Sequence, residues 1–186
     1  MRHFLIHCVG GLLKSLIKKG GDMSLQMKVF GLTIDPSTNS PIMILKATEG
    51  EEALPIWIGI LEATAIASEL ENVKFARPMT HDLLKNVIEA MGAKVEKIEV
   101  CDLRDNTYYA LIYLKTDKKE YTIDARPSDA IALALRAKAP IFVSEDVLKK
   151  SKKSSKAEVG VGTREAQKWA EILESLSPED FGKYKM

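Results

Sequence analysis

Two short stretches of this chain concentrate polar side chains where an extended run gives way to a helical one. The first is RPMTHDLL (77–84). Pro78 keeps Arg77 out of the helical region, Thr80 is a capping residue type, and His81 and Asp82 fall in an opening turn beside unpaired backbone amides. His81 is the only histidine beyond residue 7. It is therefore the one side chain in the body of the chain suited to general acid–base work near neutral pH. Asp82 has a plainer alternative role as a partner of the helix dipole, worth ~0.3–1 kcal/mol.

The second stretch, IDARPSDAIALALR (123–136), is the denser one. Pro127 suits the first helical position, which puts Asp124 at a strand end, Arg126 at the cap and Asp129 in the first turn. Two carboxylates around one guanidinium admit two readings. They can form a self-satisfied ion network that braces the corner. Alternatively Asp124 and Asp129, joined by Asp82, hold Mg²⁺ or Mn²⁺ while Arg126 meets a phosphate and His81 moves a proton. A similar corner at Gly59–Glu62 has an acid but no arginine. The chain has no phosphate-cradling glycine loop, HExxH, nucleophile elbow or CxxC, so no organic cofactor is expected.

The elements that must position these groups are legible from periodicity and turn chemistry. Strands are predicted at 27–34, 41–47, 54–59, 94–100, 108–115, 120–125 and 141–143, and helices at 62–71, 80–91 and 127–138. IGILEATAIASEL (58–70) laid on IDARPSDAIALAL (123–135) matches at Ile58/Ile123, Ala65/Ala130, Ile66/Ile131, Ala67/Ala132 and Leu70/Leu135. The pattern predicts an α+β fold built by internal duplication of two β-β-β-α units, with mostly antiparallel sheet and residues 80–91 as a connecting helix.

The flanks read differently. Residues 1–22 carry a basic start and an apolar segment broken by His7, Cys8 and paired glycines, a poor signal peptide. Lys18–Asp22 can be encoded by a purine-rich tract with room for a ribosome-binding sequence, which predicts that translation starts at Met23. Residues 149–162 hold a run of lysine and serine that reads as a solvated linker, or as a strip that attracts phosphate. Residues 163–186 read as a helical tail, with Trp169 as a packing anchor.

The 186 residues are 46% hydrophobic and 28% charged, enough to close one sizeable core at 23–148, and the net charge is +1. Residues 24–148 contain 14 basic and 19 acidic side chains, which argues against a dedicated nucleic-acid clamp. Two cysteines, Cys8 and Cys101, fit a reducing, cytoplasmic setting, and no apolar run is long enough to span a bilayer.

At LPIWIG…EA.AI (54–66), RPMTHDLL (77–84), DLRDNTYYALIYL (102–114) and DARPSDAIALALR (124–136), the chain resembles the bifunctional nuclease domain family. The likeness spans about residues 27–148. It implies a compact α+β domain and nuclease activity on both DNA and RNA. It also places Thr80, His81 and Asp82 in one family motif, and Asp124, Arg126, Pro127, Ser128 and Asp129 in another. The site expected on these grounds is His81, Asp82, Asp124, Arg126 and Asp129, with nucleic acid as substrate. The rival expectation is a non-catalytic binding or regulatory module. A homo-oligomer, as a dimer through the central sheet or the Trp169 helix, is expected as well.

Overall fold

The computed structural model describes residues 16–19 and 22–158, with side chains from 23 to 152. In chain order the elements are β1 (Leu16–Lys19), β2 (Asp22–Ile34), β3 (Pro41–Ala47), β4 (Ala53–Trp57), α1 (Ile60–Leu70), α2 (Thr80–Ala90), β5 (Lys94–Arg104), β6 (Thr107–Lys115), β7 (Glu120–Ala125), α3 (Pro127–Ala137), β8 (Ile141–Ser144) and α4 (Glu145–Glu158). Two antiparallel meanders, β2-β3-β4 and β5-β6-β7, are each followed by a helix, α1 and α3, and α2 connects the halves.

One sheet takes all the strands, in the order β4-β3-β2-β8-β5-β6-β7, with β1 paired to β2. The short β8 is the seam between the halves. It runs antiparallel to β2 (Leu25 opposite Val143) and parallel to β5 (Ile98 opposite Ile141). All its residues are buried, as suits a strand with neighbours on both edges. On β6 the sequence alternates, and Ala110, Ile112 and Leu114 turn into the core.

Helix α3 packs on β5 and β6, with α1 and α2 on either side of it. Its AIALAL run is apolar all round, so Ile131 and Leu133 are fully enclosed. Pro127 opens the helix, and Lys138 closes it in the left-handed conformation, φ 53°. Gly92 ends α2 at φ 72°, where its amide and that of Ala93 bond back to Glu89 and Ile88.

The expected linker is corrected in its first part: residues 149–158 continue a helix that begins at Glu145. The lysine run is helical because it is charge-matched and anchored. Lys149 pairs with Glu145 (3.1 Å), Lys150 with Asp146 (3.3 Å) and with Asp102 on β5 (2.7 Å), and Val147 and Leu148 are buried. The Ser144 hydroxyl accepts the Asp146 amide (3.1 Å) and caps the first turn. The tail at 163–186 lies outside the described residues, as does most of the expected leader, of which only β1 and Asp22 are described.

Candidate active site

Each of the first three helices carries an acid at its third position: Glu62 in α1, Asp82 in α2 and Asp129 in α3. An acid there faces the positive end of the helix. Tertiary packing gives the three acids different partners. Arg126, the cap residue of α3, donates from Nε to Asp129 Oδ2 (2.7 Å) and from Nη1 to Glu62 Oε1 (2.9 Å). One guanidinium thus ties the starts of α1 and α3 together. Gly59, which caps α1, leaves room for this, since a Cβ there would stand where the Glu62 carboxylate lies.

The start of α2 reaches the same point. The Nε2 of His81 lies 3.3 Å from Asp129 Oδ1, a contact across 48 residues of sequence. The imidazole is mostly enclosed, with its side chain 14% exposed, while the Asp129 side chain is 33% exposed. His81, Asp129, Arg126 and Glu62 form one connected group at the junction of three helix starts.

Asp82 turns away from that group. Its Oδ1 accepts from Arg136 Nε (2.6 Å) and its Oδ2 from the Met79 amide (2.9 Å). Arg136 is enclosed, with a side chain 5% exposed, and also donates to the carbonyl of Ala132 (3.0 Å) and to Ser68 Oγ (3.4 Å). Partial burial pushes the Asp82 carboxyl up, but the Met79 amide and Arg136 outweigh it, and the pKa is lowered.

Asp124 is the expected site residue that the fold sends elsewhere. It sits on the exposed strand β7 opposite Leu111, and it adds to the charges that raise the pKa of the Cys101 thiol, after burial and Glu99. Arg126 lies one residue beyond that strand, and its ion pairs among the described residues are with Glu62 and Asp129. The shared three-carboxylate metal site is therefore corrected. Asp82 is engaged by Arg136 and Asp129 by His81 and Arg126, and no group of three His, Cys, Asp or Glu among the described residues is placed to hold a metal ion. The donors do not fit Mg²⁺ or Mn²⁺ as a triad.

Beside Asp82 and Arg136 lies a cavity of about 290 Å³, lined also by Lys74, Phe75 and Arg77 of the loop that joins α1 to α2. Sequence reasoning missed Glu62 as a partner of Arg126 and Arg136 as the partner of Asp82. It also passed over Lys74 and Phe75, although a cation–aromatic–cation spacing before Pro78 was there to be read.

A helix-covered, mostly antiparallel sheet with an acid–histidine–arginine group at the helix starts defines an α+β domain. Residues 43–156 match the family model described as the bifunctional nuclease domain. An uncharacterised protein of Mycobacterium tuberculosis is 37% identical over 162 residues, covering 84% of this chain and 97% of its own length. Bifunctional nuclease 2 of Oryza sativa subsp. japonica is 32% identical over 117 residues, 61% of this chain and 36% of that protein. Bifunctional nuclease 2 of Arabidopsis thaliana is 33% identical over 107 residues, 55% of this chain and 32% of that protein. The chain belongs to the bifunctional nuclease domain family. No helix among the described residues is long and apolar enough to cross a membrane.

Proposed function

We propose that this protein is a nuclease that hydrolyses phosphodiester bonds in DNA and RNA, with His81 as its general base. The carrying observation is the His81–Asp129 contact. With Nε2–H donating to Asp129, the lone pair sits on Nδ1, and the carboxylate orients the ring. His81 then takes a proton from a water as its oxygen attacks phosphorus. The new P–O bond forms, the bond to the leaving oxygen breaks, and that oxygen takes a proton from a second water, while His81 gives the proton it took to the hydroxide left behind. Arg126 acts through Asp129 as a positioning residue, since both its contacts are to carboxylates. The relatives named as bifunctional nucleases support the reaction class, and a free Cys101 accords with a cytoplasmic setting.

The test is His81→Ala in highly purified protein. Cleavage of labelled single-stranded DNA and RNA should fall about 10²- to 10⁴-fold, as for loss of a general base. The melting temperature should move little. Cleavage at the wild-type rate by His81→Ala would show that the activity belongs to another residue or another protein.

A further inference from the structure

We infer that the α1–α2 loop, Lys74-Phe75-Ala76-Arg77, is the segment that grips single-stranded nucleic acid, with two phosphates on Lys74 and Arg77 and one base on Phe75. This rests on the nuclease reading and names how its substrate is held. Lys74 and Arg77 have no carboxylate partner among the described residues, whereas Arg126 and Arg136 nearby are committed to Glu62, Asp129 and Asp82. Both free cations line the cavity beside Asp82 and Arg136, and Arg77 lies four residues before His81. Arg77, directly before Pro78, is exposed in the loop. Phe75, between the two, is 43% exposed. A half-exposed ring flanked by unpaired cations suits a strand whose bases are free to stack, which a duplex does not offer. It also meets the objection raised by the acidic composition of residues 24–148, because the attraction is local.

Binding is measured by fluorescence anisotropy of a labelled single-stranded DNA on the full chain, in the His81→Ala background so that the strand stays intact. The double variant Lys74→Ala/Arg77→Ala should weaken binding and flatten the log–log salt slope by about 1.4, two phosphates at ~0.7 each. Phe75→Leu should weaken binding roughly 5- to 150-fold at an unchanged slope, and Phe75→Tyr should retain it. Binding and slope that ignore these changes, while His81→Ala still abolishes cleavage, overturn the loop assignment and leave the nuclease reading. The expected binding losses with undiminished cleavage by His81→Ala would do the reverse.

A separate observation carries a second inference: we propose that the outward face of α2 packs against α2 of a second copy. Ordinarily a surface helix turns its apolar side inward. Here the inward side holds Ile88 with His81, Asp82 and Lys85, while Leu83, Leu84, Val87 and Met91 stand 57%, 41%, 46% and 78% exposed on the other side. The Lys85–Glu89 pair lies away from this face. In antiparallel register about Val87, Leu83 meets Met91 of the copy and Leu84 meets Ala90, so the face is its own complement. The four side chains offer on the order of 400 Å² of apolar surface, about half of the ~800 Å² a side that a standard interface needs, with the rest left to its rim.

Sedimentation velocity should find the wild type at twice the 20.6 kDa chain mass. Val87→Glu and Val87→Arg should each be monomeric, and an equimolar mixture of the two should return to dimer, because position 87 meets itself. A monomeric wild type, or dimers that survive both substitutions, would overturn the proposal.

Discussion

Replacing Asp82 by alanine tests whether this acid serves the fold rather than the chemistry. The substitution leaves the Arg136 guanidinium in place, with a side chain 5% exposed and only the Ala132 carbonyl and Ser68 hydroxyl to accept from it. Breaking a buried ion pair by removing one partner costs about 3–5 kcal/mol. The Asp82 side chain is 33% exposed, so water can enter the gap, and about 2–4 kcal/mol is the appropriate range. For a chain of this length that corresponds to a fall in melting temperature of roughly 5–15 °C. Urea denaturation followed by far-ultraviolet circular dichroism reads it directly. The double variant Asp82→Ala/Arg136→Met, which removes the charge as well, should recover to within about 1 kcal/mol of wild type. Cleavage per folded molecule should persist in Asp82→Ala. A loss below ~0.5 kcal/mol together with abolished cleavage would refute the argument and return Asp82 to the catalytic group.

Asp35 accepts from the Ser37 hydroxyl (2.7 Å), the Trp57 indole (2.9 Å) and the Ser37 amide (2.9 Å), which together hold its carboxyl well below the usual carboxylate range. The stability it contributes is present above the ordinary carboxylate pKa near ~4 and fades as pH falls toward the lowered folded value. Asp35→Asn should cost about 1–3 kcal/mol at pH 7 and show a flatter acid limb in urea titrations between pH 2 and 6. Gly92→Ala meets open space but must hold φ 72°, so a loss of about 1 kcal/mol by thermal unfolding is expected. Asp124→Ala, on the exposed strand, should stay within about 0.5 kcal/mol of wild type and cleave normally, where the metal-site reading requires inactivity.

The strands and helices were legible because local signals agreed. Alternation in TYYALIYLK, the Pro127 start and the Gly92 stop each say the same thing as the packing they enter. Helix α4 was hidden because a lysine run carries no apolar period of its own. Its stability comes from Asp102, Glu145, Asp146 and two buried residues at its start. For the site, the structure joins His81, Asp129 and Arg126 in one connected group. Their partners could not be read, since Arg126 finds Glu62 rather than Asp124 and Asp82 finds Arg136 across 54 residues. Neighbourhood along a motif constrains where a backbone goes. It does not fix which way a charged side chain turns once a strand has ended.

The seam strand β8 has an implication for synthesis. It is the next-to-last described element of the chain, yet it sits in the middle of the sheet and is the sole link between β2 and β5. A nascent polypeptide leaving the ribosome therefore carries two half-sheets with open inner edges until residues 141–144 emerge, and parallel docking against β5 is among the slower kinds of pairing to close. A transcript truncated just upstream of Ile141 would yield a product that holds every proposed active-site side chain and still exposes both sticky borders to its neighbours.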